Sequence, residues 1–352
     1  MLPYIFLYVL VSFFALMSDF ANRRGYFYAL LMAALFIVLA IFSGIRAESV
    51  GTDTSAYYII FNYLTSSAVN PFLTRYEPGF VMMNLVSNWF GWGPSGVIFL
   101  SSSLFSLLIV LAAHRFSTNH LVFFSVFLGL SFYIFSFNGV RQALAMAFVL
   151  NGLNLYSGKD KKGIVWCLTA ILFHLSAIFF LVSFVFLRLR LKAIAWLLVW
   201  SLSIFIMIDP DPLKYVIDQT SYMFPSSYQV YFGDYLWGSY GSLEVRDLFY
   251  QFLFFVALYS LYVFRNNSMC SMVSILVMSA VIFKNIFLHF GFIERLSLYF
   301  EIFIPLYLGY VTLVFRHQVE IALISFGFSA LMFILYIRAI SGNSNGVLPY
   351  SF

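Results

Sequence analysis

The chain has 352 residues, of which 62% are hydrophobic, 21% aromatic and only 9% charged, whereas a soluble domain carries about a quarter charged residues. That excludes a soluble globular protein, and the small net charge of +5 gives no sign of a nucleic-acid partner. The expected fold class is an all-α, polytopic integral membrane protein: apolar runs of roughly 17 to 25 residues recur and suit helices crossing ~30 Å of hydrocarbon, where a barrel would alternate.

In chain order the apolar runs fall near residues 2–17, 26–43, 96–113, 121–137, 140–156, 164–187, 192–208, 248–264, 269–289, 296–315 and 319–338. They predict about 11 transmembrane helices. The first run lacks a basic leader and a small-residue cleavage site, so it is expected to be a retained span. Gly79 to Phe90 is apolar but too short to cross, and is expected to form a re-entrant or half-helix. No hydrophilic stretch is long enough for a soluble domain, so residues 1–352 are expected to form a single transmembrane domain with two long loops, 44–78 and 209–246. Cys167 and Cys270 lie far apart in apolar segments, without the spacing of a metal site or disulfide framework.

Short connections bear Arg23 and Arg24, His114 and Arg115, Lys159, Lys161 and Lys162, Arg265, and Arg316 with His317. If these face the cytoplasm, both long loops face outward. The alternation fails once after Lys162, which requires that "RLRLK" lie outside or that a neighbouring segment be broken.

Polar residues in or beside spans are the functional candidates, since each charge costs roughly 2.5–3.5 kcal/mol on insertion scales. In "FSFNGVRQALAMAF", Asn138 is positioned to cap a helix and Arg141 falls in its first turn. A cation there opposes the helix dipole unless an anion binds, in which case free N–H groups, dipole and guanidinium address one ligand; the plainer reading is snorkelling. Arg295 follows Glu294 at the mouth of a span, where a local ion pair is the simple alternative. Lys284 and Glu301 are expected to pair across a hairpin. His174 sits mid-run in "WCLTAILFHLSAIFFL" and is either a bonded core histidine or a catalytic one. No histidine stands at metal-ligand spacing, so no metal is expected.

The second loop carries Tyr215, Tyr222, Phe224, Tyr228, Tyr231, Phe232, Tyr235, Trp237 and Tyr240, interleaved with Asp218, Gln219 and Asp234. An interfacial belt is one reading. Sugar binding is the other, with Tyr228, Tyr231, Tyr235 and Trp237 stacking on C–H faces and Asp234 bonding hydroxyls.

"IRAESVGTDTSAYYIIF", "RYEPGFVMMNLVS", "FNGVRQALAMAFVLNGL" and "LFHLSAIFFL", in that order, resemble the EpsG-like branch of Wzy-type polysaccharide polymerases; "IERLSLYFEI" matches less clearly. The family usually has proline after the histidine, where this chain has Leu175. The resemblance implies a GT-C-like fold and a metal-independent glycosyltransferase with no cofactor, in the bacterial inner membrane with its site facing the periplasm. Such a protein takes undecaprenyl-diphosphate-linked oligosaccharide and transfers the growing glycan to a sugar hydroxyl of the next unit, in O-antigen, capsule or exopolysaccharide synthesis. A chain-length regulator and a flippase are the partners implied.

That chemistry needs cations for the departing diphosphate and a base for the acceptor hydroxyl. Arg46, Arg75, Arg141 and Arg295 are the expected diphosphate ligands. Asp53, beside Gly51 in the most distinctive motif, is the first choice for the base, with His174 and Glu77 next; Asp53 can equally bind a sugar hydroxyl. The competing class is a transporter or flippase of the same lipid-linked sugar, although the paired broken halves common in transporters are not visible. A glycan acyltransferase would want an asparagine or aspartate beside its histidine, and His174 has none.

Overall fold

The structure, a computed structural model, describes residues 1–153, 162–189, 191–220, 222, 245–264, 266–315 and 317–352. Among them every regular element is helical. Each of the eleven apolar runs maps onto helix where it is described, but their lengths differ. Among the described residues six helices are long and apolar enough to cross a membrane: Leu2–Phe20, Tyr26–Gly44, Gly93–Phe116, Ser268–Phe287, Ile293–Val314 and Gln318–Gly342. Two bent pairs raise this to eight, and the remaining apolar helices are shorter. One of the short or broken segments is the run 164–187, which divides at His174 into Lys162–Phe173 and a 3-10 turn, Leu175–Leu181.

By contact the chain divides into two compact units, residues 1–178 with 305–352, and residues 179–304. The first contains α1 (Leu2–Phe20), α2 (Tyr26–Gly44), α3 (Thr54–Leu64), α4 (Pro78–Trp89), α5 (Gly93–Phe116), α6 (His120–Gly129), α7 (Phe132–Asn138), α8 (Val140–Asn151), α9 (Lys162–Phe173) and the helix Gln318–Gly342.

At the centre of this unit lies α6, whose ten residues are all buried. A helix buried on every side must be apolar all round, and "HLVFFSVFLG" is, apart from His120 and Ser125. Its first turn is closed by acceptors from outside: Asp19 takes the His120 and Leu121 N–H groups at 2.7 and 2.9 Å, and Asn119 takes that of Val122 at 3.0 Å. These bonds satisfy donors that a helix start leaves open. The same end of the unit holds Arg23, bonded to the Ser117 carbonyl at 2.7 Å, and Tyr28, within 3.1 Å of His114. Two of the short basic connections therefore share one end.

The opposite end is organised by the loop after α2. Ala47, Gly51 and Thr52 donate backbone N–H groups to the carbonyls of Ser351, Gly346 and Asn345 at 3.0, 2.8 and 3.2 Å. Tyr4 and Tyr350 fix that distal segment further, donating to the Val347 and Phe42 carbonyls at 2.8 and 2.5 Å. Gly51 has a φ of +100°, and a Cβ there would come within 2.8 Å of both Asn138 Oδ1 and Thr54 Oγ1. Its close approach is thus to the protein's own chain.

The helix α4 begins with Pro78, which supplies a helical φ and has no N–H to leave unsatisfied. It has 12 residues and rises about 18 Å, short of a span, as expected for Gly79–Phe90.

In the second unit Lys284 is buried and pairs with Glu294 at 2.8 Å, rather than with Glu301 as expected. Glu301, also buried, accepts from the Tyr250 and Ser297 hydroxyls, each at 2.5 Å. The lysine reaches the nearer carboxylate, and hydroxyls suffice for the other. Both cysteines are buried and free, in keeping with packing roles.

Candidate active site

Three residues expected separately as candidates meet at one carboxylate. Glu77, at the cap position before α4, accepts from Arg141 Nη1 through Oε2 at 2.5 Å. Through Oε1 it contacts His174 Nδ1 at 2.9 Å and the Leu175 N–H at 3.3 Å. The side chains remain partly open, with relative exposures of 13% for Glu77, 28% for Arg141 and 27% for His174.

Local sequence explains the meeting. A Cβ on Gly79 would lie 2.8 Å from the Leu172 carbonyl oxygen, so glycine lets the first turn of α4 close onto the end of α9. His174 follows that end directly. The helix breaks there, and the freed Leu175 N–H goes to Glu77. A proline at this position would lack that donor, so the departure from the family pattern adds a bond to the site.

The start of α8 is held by a residue the sequence reading missed. The Tyr57 hydroxyl donates to the Asn138 carbonyl at 2.5 Å and accepts from the Val140 N–H at 3.1 Å. It takes the capping role expected of Asn138, whose amide instead donates to Asn345. The signal was available in "TSAYYIIF", where Tyr57 falls on the buried face of α3 together with Thr54, Phe61 and Leu64.

Burial alone would push the Glu77 carboxyl up, but the His174 hydrogen bond and the Arg141 charge outweigh it and lower its pKa from 4.5 to about 2. An ionised carboxylate only accepts hydrogen bonds, so Nδ1 of His174 carries the proton. In neutral imidazole this leaves Nε2 as a free acceptor. Glu77 itself, held this acidic, is a weak proton acceptor near neutrality. A depressed carboxylate stabilises the folded arrangement fully above its unfolded value near 4.5, and that contribution is lost as pH falls toward 2. Protection of the α4 amides, taken relative to the intrinsic exchange rate at each pH, is therefore expected to fall on acidification through this window, and Glu77→Gln to flatten the dependence; protection insensitive to pH in the wild-type protein would refute the linkage.

The expected arginines separate. Arg141 lies 5.6 Å from the Tyr76 ring centroid and exposed Arg75 lies 5.5 Å from the same ring, so two guanidiniums share one aromatic neighbour. Arg46, expected as a diphosphate ligand, is buried. It donates to the Ser43 carbonyl at 2.5 Å, the Phe137 carbonyl at 3.0 Å and Ser102 Oγ at 3.4 Å, and lies 4.6 Å over the Phe137 ring. Burial lowers its pKa to about 10, which leaves it charged at neutral pH. These contacts tie the loop after α2 to the end of α7. Arg295 is exposed and belongs to the second unit. Asp53 is half-buried at the start of α3 and accepts from the Thr52 hydroxyl at 3.1 Å. Tyr228, Tyr231, Asp234, Tyr235 and Trp237 lie outside the described residues.

Comparison with known families decides the identity: the EpsG family matches residues 29–352. The chain belongs to the EpsG family. Its members are Wzy-like, polymerase-type membrane proteins of exopolysaccharide and O-antigen synthesis, and the EpsG assignment spans both compact units and every residue of the Glu77 cluster. Its role is thereby of polysaccharide-polymerase type. No curated protein and no solved structure matches the chain.

Proposed function

We propose that this EpsG-family protein extends a polysaccharide by transferring the growing glycan from a lipid diphosphate to a sugar hydroxyl of the next lipid-linked unit. The observation that carries the reading is Glu77 holding Arg141 on one oxygen and His174 on the other. Transfer needs a cation at the leaving group and a base at the acceptor, and this carboxylate orients one of each.

In the proposed reaction the bond between the anomeric carbon and the phosphate oxygen breaks, its electron pair leaving on the diphosphate. Arg141 and Arg75 take the developing charge, with geometry suited to phosphate oxygens. The acceptor hydroxyl oxygen bonds the anomeric carbon, and its proton passes to Nε2 of His174. Glu77 fixes the histidine tautomer and stabilises the imidazolium, as carboxylates do in hydrolase triads. Asp53 binds an acceptor hydroxyl, and Arg46 holds the wall on which Asp53 stands. The site faces the periplasm of the bacterial inner membrane, receives undecaprenyl-diphosphate-linked oligosaccharide from a flippase, and works beside a chain-length regulator.

The test is reconstitution with lipid-linked repeat unit extracted from cells lacking this protein. A ladder of products is expected without nucleotide sugar and in the presence of a chelator. Unchanged monomer accompanied by its translocation across vesicles would sink the proposal in favour of a transporter.

A further inference from the structure

We infer that a groove at the α2–α5 end nearest the cluster holds the first isoprene units of the donor's lipid tail; this deepens the function proposed above and rests on it. The groove has a volume of about 370 Å³ and is lined by Gly44, Ile45, Trp92, Ser95, Gly96 and Phe99. Apart from Ser95 its walls are apolar, and no ionisable residue lines it. It is too hydrophobic for a sugar, which would want several donors and acceptors, and it suits hydrocarbon.

Three observations select the tail of a diphosphate lipid. First, the groove continues into a stripe on α2, where Ile37, Ile41 and Ile45 are all exposed. They are spaced four residues apart and so line one face of the helix, giving a chain a path from the bilayer. Second, it ends beside the chemistry. Ile45 precedes Arg46, and Ser102, one turn of α5 beyond Phe99, shares a small cleft with Val140, the neighbour of Arg141. That places the groove one turn of α5 from the cleft that reaches the first residue of Arg141's helix. Third, a larger groove of about 430 Å³ lies between α1 and the helix Gln318–Gly342. It runs past Leu16 and Leu121 toward the end that holds Asp19 and His120, away from Arg141, so its occupant has no access to the site. A tail whose diphosphate meets Arg141 must lie near Arg141, and of these two grooves the first meets that condition.

The experiment uses the full chain in nanodiscs of phosphatidylethanolamine and phosphatidylglycerol. Extracted repeat unit on its natural long tail is compared with the same unit carried on an ethyl diphosphate, whose tail is too short to enter the groove. Ser95→Trp, which fills the groove, is expected to raise KM at least tenfold for the long-tailed donor and to leave the short-tailed donor within twofold. Equal losses for both donors would overturn the inference. In parallel, a benzophenone-bearing farnesyl diphosphate is photolysed with the wild-type protein. Labelling of residues 92–99 is expected, suppressed by excess polyprenyl diphosphate and not by excess phosphatidylglycerol. Suppression by both lipids alike, or no labelling, would make the groove an ordinary lipid face. Selective labelling of a protein that forms no ladder would sink the polymerase reading and leave the groove standing.

Discussion

Replacing His174 with glutamine or alanine is expected to slow chain extension by about 10²–10⁴-fold, the usual contribution of a positioned proton acceptor. Glu77→Gln is expected to fall in the same range, although Glu77 transfers no proton. An amide presents a donor as well as an acceptor, so it no longer dictates that Nδ1 carry hydrogen, and an analogous change in a hydrolase triad costs about 10⁴. The double variant is expected to lose little more than either single one, because residues acting as a unit are strongly non-additive. The check is initial rate of ladder formation by the reconstituted variants, with insertion confirmed in each. Multiplying losses in the double variant would mean that Glu77 and His174 act independently, and a normal rate in His174→Ala would remove the histidine from the chemistry.

The second large effect is expected at Arg141. Arg141→Lys retains a cation within reach of Glu77 2.5 Å away, yet it replaces a planar fork by a single ammonium. Loss of one such electrostatic ligand typically costs about 10²–10³-fold, so both Arg141→Lys and Arg141→Ala are expected to abolish long-chain polysaccharide in cells while the protein remains in the membrane. Arg75→Ala is expected to weaken donor binding with a smaller effect on turnover, since Arg75 is exposed. Gel analysis of surface polysaccharide reads the first effect and donor titration the second. Chains of normal length from Arg141→Lys would show that charge alone suffices.

Much of this site was legible residue by residue, because charged groups are rare among the apolar runs and each stood out. Glu77, Arg141 and His174 were all candidates. What the sequence withheld was their union, since the partners of Glu77 lie 64 and 97 positions away. Without that contact Glu77 looked like a rival base, and Asp53 the stronger one. The contact is set by Gly79, a residue whose importance depends on a neighbour 93 positions on in the chain, Leu172, and which no local pattern marks. Arg46 was misplaced for a related reason: its position just after a span suggested an open loop, and only the fold shows carbonyls and a phenyl ring enclosing it. The helical runs were plain from hydrophobicity. Their breaks were not, because the division at His174 is stabilised by Glu77 from another helix and leaves no proline to announce it.

The pairing of residues 47–52 with residues 345–351 bears on the order in which the protein becomes active. Ser49 and Ser351, whose hydroxyls lie 3.3 Å apart, are separated by 302 positions, so the wall bearing Asp53 lacks its backbone partners throughout most of synthesis. Helices near the amino end can insert and pack early from local contacts, while this long closure waits for the distal segment to emerge. A nascent chain thus exposes spans without a finished wall, and the capacity for the proposed transfer arrives late, when the bundle around it is already in place.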